Sequence, residues 1–202
     1  MSVKVAVIYY SATGNVYGLA RPVEEGAIEA GAEVRFRKVR ELAPEEAIKS
    51  TPAWQKHALE TRDVPEVQLE DLEWADAYVF GTPIRYGNVS AQLKQFIDTT
   101  AVHWGEGKLA DKVVGGFTST HELHGAQEST LLSMYNVLYH RGSIIVPMGY
   151  TDDSVFAAGG NPYGVSSPDG GEAGPGEEAL AAARYQGRRI TEKAALLVPS
   201  RV

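Results

Sequence analysis

Three short stretches of the chain carry side chains suited to holding a ligand. The first, Tyr10-Ser11-Ala12-Thr13-Gly14-Asn15, is small and hydroxylated, and from Val16 onward the apolar spacing becomes helical. It follows Val3 to Tyr9, whose β-branched and aromatic residues predict a strand buried on both faces. A strand that ends in such a loop and opens a helix directs free N–H groups and the positive end of a helix dipole at one point, which suits a phosphate. Ser11 to Val16 is thus a candidate phosphate cradle. The alternative at this point is an ordinary strand-turn-helix with Asn15 as its N-cap.

Two well-known phosphate loops are excluded by residue type. No Lys follows Gly14, so the Gly-x-x-x-x-Gly-Lys-Ser/Thr order of ATP and GTP sites is absent. Only Gly14 and Gly18 are present where the dinucleotide fingerprint needs three glycines. The remaining donors are hydroxyls and backbone amides with no cation nearby, which fits a terminal phosphomonoester. The second stretch, Pro83 to Asn88, is aromatic and cationic, and the third, Ser119 to Gly125, is mixed. One loop for a phosphate and one offering amides and a ring suit a mononucleotide with a large aromatic head. His121 and His124 flank Glu122 without the His-Glu-x-x-His spacing of a zinc helix, so no metal site is expected. No Ser-His-Asp arrangement is evident, and with no cysteine in the chain a thiol nucleophile is excluded.

The elements that must position these loops alternate. Strands are predicted over Val3–Tyr9, Glu33–Val39, Ala77–Gly81, Val113–Phe117 and Ser143–Pro147. Helices are predicted from Val16 to a C-cap at Gly31, with Pro22 inside it, from an N-cap at Ser90, over Ala126–Tyr139 and over Glu177–Leu197. On the closing helix Leu180, Ala183, Arg184, Gly187, Ile190, Ala194 and Leu197 share one side. The alternation of Glu33–Val39 places the second strand near a sheet edge. Residues 40 to 72 hold three prolines and predict one or two short helices. Between 159 and 176 lie seven glycines and three prolines, so 151–176 reads as a loop insertion in one domain spanning 1–202, with Tyr163 as its anchor. Strand-helix alternation predicts a doubly wound α/β fold: a parallel sheet of five strands with helices on both faces. The three loops then meet beyond the carboxyl ends of strands one, three and four, where ligands of such sheets sit.

The chain of 202 residues carries a formal charge of −7, is 44% hydrophobic and 22% charged, and suits one globular core. The acidic balance argues against nucleic acid as a partner. No apolar run approaches a membrane span and the hydrophobic start is too short and alternating for a signal peptide, so the expected location is cytoplasmic.

The motifs Tyr9-Tyr10-Ser11-x-x-Gly14-Asn15, Phe80-Gly81-Thr82-Pro83-x-Arg85-Tyr86-Gly87-Asn88, Gly125-x-Gln127-Glu128, Pro162-Tyr163-Gly164 and Ala183-Arg184-Tyr185-Gln186-Gly187 occur in this order. Together they resemble the NAD(P)H:quinone oxidoreductases related to tryptophan-repressor-binding protein, over nearly the whole chain. The resemblance implies a flavodoxin-like sheet of order 2-1-3-4-5, non-covalent FMN, a homotetramer, and two-electron reduction of quinones by NADH or NADPH in a ping-pong cycle. By position, Ser11, Ala12, Thr13, Gly14, Asn15 and Val16 would cradle the FMN phosphate. Pro83, Ile84, Arg85 and Tyr86, in the loop completed by Gly87 and Asn88, would line the isoalloxazine, and Arg85 would favour an anionic reduced flavin. Ser119, Thr120, His121, Glu122, Leu123 and His124 would close its other side, and His140 would reach it from a neighbouring subunit or a loop edge. Trp104 would stand beside the nicotinamide and quinone pocket, with Tyr86. Thr13 holds the position where relatives often carry an aromatic that contacts the dinucleotide; Ile84 replaces a common Thr, and His121 to His124 replace a glycine-rich turn. A one-electron flavodoxin and a non-enzymatic binding protein are the rival classes.

Overall fold

The computed structural model describes residues 2–168 and 174–198. Among these, five parallel strands run in the order β2-β1-β3-β4-β5: β1 (Lys4–Tyr9), β2 (Glu33–Lys38), β3 (Ala77–Pro83), β4 (Val113–Thr120) and β5 (Ile144–Ile145). The flavodoxin-like order expected from the resemblance is therefore present. A sixth, minor strand, β6 (Ser166–Pro168), pairs with β4 at Thr118 to Thr120, whereas β5 pairs only with Val113 and Val114. The outer edge of β4 is thus covered in two pieces. β5 ends just before Pro147, which has no N–H to continue the ladder, although the Val146 amide still donates to Val114 O at 2.9 Å.

Helices cover both faces. α1 (Asn15–Glu29) and α9 (Glu177–Ala195) pack on one; α4 (Leu69–Trp74), α5 (Ala91–Asp98) and α7 (Gln127–Tyr139) pack on the other. The alternation of β1 divides the core accordingly: Val5, Val7 and Tyr9 join the first cluster, Ala6, Ile8 and Tyr10 the second. Each fully buried Leu or Phe of these clusters stabilises the fold by about 1.5–3 kcal/mol relative to exposure. α1 and α9 approach until backbones touch: a Cβ on Gly26 would stand 1.8 Å from Arg184 O, and one on Gly187 1.9 Å from Val23 O. Small residues therefore set the buried side of α9, which is Ala179, Ala182, Ala183, Gln186, Gly187, Ile190, Thr191 and Ala194; Leu180 and Arg184 lie outside it. The expected stripe is rotated because the larger side chains do not fit the crossing.

The wet face of β2 is explained by its partners. Arg35 and Arg37 each place a guanidinium nitrogen 3.0 Å from the buried Asp71, which also caps α4 by accepting from Gln68 N at 3.0 Å. Residues 40 to 72 form three short helices, α2 (Glu45–Lys49), α3 (Pro52–Glu60) and α4. α6 (Ala101–Gly105) follows α5. The segment expected to be loop from 151 to 176 contains α8 (Asp153–Ala157), capped by Asp152 accepting from Ser154 N at 3.0 Å, as well as β6. Within this segment 169–173 lie outside the described residues. The segment is held at Tyr163 through the backbone, whose carbonyl accepts from Tyr135 Oη at 2.5 Å, and not through the exposed ring. No described helix is long and apolar enough to cross a membrane.

Candidate active site

The cradle forms where β1 hands over to α1. The Tyr10 amide donates to Gly81 O at 3.0 Å, tying the loop to β3, and Ser11 Oγ accepts from the Gly14 amide at 3.1 Å. Gly14 has φ +106°, a left-handed conformation that L side chains rarely adopt, and it is this residue rather than Asn15 that caps α1. Asn15 is instead the first helical residue and is buried. Gly14 has no side chain with which to cap the helix, and the first turn holds no acidic residue. The first intrahelical bond runs from Gly18 N to Gly14 O at 2.8 Å, so the Val16 and Tyr17 amides precede the ladder and point toward the loop. A helix start without an N-cap side chain or a first-turn carboxylate, with a hydroxyl beside it, is the donor set of a phosphate site.

The second loop is a two-residue hairpin. Arg85 N donates to Asn88 O at 2.9 Å and Asn88 N to Arg85 O at 3.0 Å, while Tyr86 and Gly87 take φ +52° and +75°, the signs of a type I′ turn. Tyr86 is thereby held fully out in solvent. The turn is anchored below by Ile84 N donating to Ser119 O at 3.0 Å, by Thr118 Oγ1 donating to Thr82 O at 2.7 Å, and by Ser133 Oγ bonding Asn88 Oδ1 at 3.0 Å. The Arg85 guanidinium folds back to Ile84 O at 3.0 Å. Ser90 caps α5 as expected, accepting from Leu93 N at 3.4 Å.

Between the cradle, this hairpin and the loop after β4 lies a cleft of ≈ 330 Å³. It is walled by Ser11, Ala12, Thr13, Asn15 and Val16 from the first loop, by Pro83 to Gly87 from the second, and by Ser119, Thr120, His121 and Gly125 from the third. The size is that of a small-ligand pocket. Apolar Ala12, Val16, Pro83 and Ile84 can flank a flat ring, and the helix start can take an anion, so the residues present fit a flavin mononucleotide. Gly14 and Asn88 support the loops without lining the cleft, and Glu122, Leu123 and His124 are exposed beyond it.

A family model described as NADPH-dependent FMN reductase matches residues 3–153. The chain belongs to this family. Among its relatives is an NAD(P)H dehydrogenase (quinone) of Deinococcus radiodurans, 43% identical over 196 residues that cover 97% of this chain and 98% of the relative. A protein of the same name from Aromatoleum aromaticum is 40% identical, covering 98% and 99%. The solved flavodoxin, WrbA-like protein from Agrobacterium tumefaciens matches with a TM-score of 0.70 at 25% identity, covering 96% of this chain and 99% of that one.

In this FMN reductase family member Trp104 and His140 stand away from the cleft within the same chain. Trp104 Nε1 donates to His140 O at 2.8 Å, and both line a shallow hollow with Ile97, Thr100 and Arg141. Gly125 is the cleft residue that carried no role in the sequence reading, although it opens a recognised motif. Among the described residues no group of three His, Asp or Glu side chains is placed to hold a metal.

Proposed function

We propose that the protein is an FMN-dependent NAD(P)H:quinone oxidoreductase that reduces quinones to hydroquinones in a ping-pong cycle. The observation that carries this reading is the start of α1 at a left-handed Gly14, which has no side chain to cap it, opening onto a cleft whose other walls can flank a flat ring. Non-covalent FMN, when bound, supplies the two-electron chemistry between a nicotinamide and a quinone. Ser11 and the amides of the first turn of α1 hold the phosphate. Pro83 and Ile84 pack against the ring, and Ser119, Thr120 and His121 border its opposite edge. Arg85, at the rim, contributes positive potential where reducing equivalents collect. Tyr86, projecting from its turn, offers a planar surface to an incoming nicotinamide or quinone. One cleft serves both substrates, so the dinucleotide leaves before the quinone enters.

The exposed Trp104 lies beside His140, in a shallow hollow it shares with Ala101 and Val137. We read this hollow as the face through which one subunit completes the cleft of its neighbour in a homotetramer. The chain acts as one domain in the cytoplasm. Protein reconstituted with FMN should lose its visible flavin absorbance on anaerobic addition of NADH or NADPH and regain it with benzoquinone. An oxidised spectrum that persists with both nucleotides would overturn the assignment, and bleaching followed by only one-electron exchange would point to a flavodoxin.

A further inference from the structure

A second cavity, ≈ 710 Å³, adjoins the cleft between α1 and α3. The two share Thr13, Asn15 and His121, so they meet at the edge of the cradle. Its walls are Tyr17, Pro52, Ala53 and Pro175, with Lys56 and Glu60 on the rim. At its inner end stands His57, only 6% exposed. The imidazole stacks at a tilt against Tyr17, 5.4 Å between centroids, and its Nδ1 lies 3.5 Å from where a Cβ on Gly14 would stand. Neither ring nitrogen forms a hydrogen bond with any described residue. The ring nitrogens are open to the cavity rather than sealed off, so a ligand or water there can supply the partner. Burial also holds its pKa below the ordinary value, so at neutral pH the ring is uncharged and carries one donor and one acceptor.

We propose that this cavity holds the adenosine diphosphate half of the nicotinamide dinucleotide, with His57 donating to the pyrophosphate. The inference rests on the oxidoreductase reading above and names where its reductant binds. With the nicotinamide over the flavin, the remainder of the molecule can run past His121, on the side of the cradle away from the FMN phosphate, into this cavity. Tyr17 and the two prolines give the adenine apolar, flat-sided walls. Lys56 supplies a positive charge for the phosphates, and Glu60 an acceptor for ribose hydroxyls, as acidic residues do in other dinucleotide sites. No charged side chain of the cradle competes for the same phosphates.

The experiment uses FMN-loaded protein and two probes: ADP-ribose, followed by calorimetry, and reduced nicotinamide mononucleotide, which lacks the adenosine half. His57→Ala removes the donor, and Ala53→Trp, at an exposed position, fills the cavity without touching the core. Both variants should weaken ADP-ribose binding and raise KM for NADH by about ten-fold or more, the size expected for losing a hydrogen bond to a charged group. FMN content, and turnover with the mononucleotide, should match wild type. If wild-type protein does not bind ADP-ribose, or if the variants lose as much with the mononucleotide as with NADH, the site is refuted. ADP-ribose binding abolished by Ala53→Trp in a protein that NADH does not reduce would support the cavity and sink the redox reading. Rapid reduction by NADH with unchanged ADP-ribose binding in both variants would do the reverse.

Discussion

Glu41 is the residue through which the start of the cradle is tied to the helices around it, and replacing it with Gln tests that role. Its Oε1 accepts from the amides of Leu42 at 2.8 Å and Ala43 at 2.9 Å and from Gln92 Nε2 at 2.9 Å. Its Oε2 accepts from Tyr10 Oη at 2.8 Å and Trp54 Nε1 at 3.1 Å. Gln must put an NH2 group at one of these two places. At the Oε1 place it would face three donors; at the Oε2 place it faces the indole N–H, which cannot turn away, and the Tyr10 hydroxyl, which can rotate to accept. The cheaper arrangement still leaves the indole N–H unmatched, turns the Tyr10 O–H, which also accepts from Gln92 Nε2 at 3.0 Å, away from its acceptor, and removes the charge assistance from the other three bonds. At roughly 1 kcal/mol for each loss, reduced for partial exposure, Glu41→Gln should cost about 2–3 kcal/mol. For a chain of this length that lowers Tm by roughly 5–10 °C.

The pH dependence has a definite sign. Burial pushes the Glu41 carboxyl up, but the Ala43 amide, Gln92, Tyr10 and the Leu42 amide outweigh it and hold it below the usual glutamate value. A depressed folded pKa stabilises above the unfolded value of about 4.3, and that contribution is lost as the pH falls through the folded pKa. Urea unfolding of wild type and variant at one protein concentration should therefore show the full gap at pH 7 and a shrinking gap below about pH 4. A gap under about 1 kcal/mol at pH 7, or one undiminished at pH 3, would show that the Glu41 carboxylate does not tie the cradle down.

Gly14→Ala meets only ordinary contact, 3.5 Å from His57 Nδ1, so its cost is backbone strain of about 1–3 kcal/mol, seen in urea melts, together with weaker FMN binding by fluorescence titration. Gly187→Ala would drive a Cβ into the Val23 carbonyl and should destabilise by about 3 kcal/mol or more by urea melts, leaving the FMN affinity of the folded fraction unchanged. Trp104→Ala should lower quinone turnover and oligomer mass together in light scattering, while its soluble fraction keeps the wild-type far-UV circular dichroism.

The other strands of the β2-β1-β3-β4-β5 path were readable as stretches rich in β-branched and aromatic residues, and β2 by the alternation of Glu33–Val39, which correctly marked an edge. β6 was not readable. Ser166-Ser167-Pro168 has no strand propensity of its own and is extended because β4 needs a partner beyond the point where β5 ends. α8 was hidden for a related reason: five residues carry too few turns for a periodic signal, and only the Asp152 cap betrays it. The rotated stripe of α9 reflects a different limit. Hydrophobic spacing weighs Leu180 and Leu197 heavily, whereas the crossing with α1 selects alanines and glycine by size.

For the site, residue type announced the three loops, and the sheet order explains why they converge. β1 and β3 are neighbours, but the chain leaves β1 toward β2 on one side and leaves β3 toward β4 on the other, so a crevice opens between the loops that follow them. Gly14, not Asn15, turns the chain there because only a residue free to take φ +106° can end a tight loop and start a helix at once. His57 gave no signal, since it is a single histidine in a short, proline-initiated helix with no partner nearby in sequence. Its meaning comes from the packing of α3 against α1, which brings a neutral imidazole to within contact of the residue that opens the cradle. Loops at the sheet edge can thus assemble a cofactor site from local chemistry alone, while the space beside it depends on a helix placed from 40 residues away. A reductant that must engage both is then selected by the tertiary packing as much as by the loops.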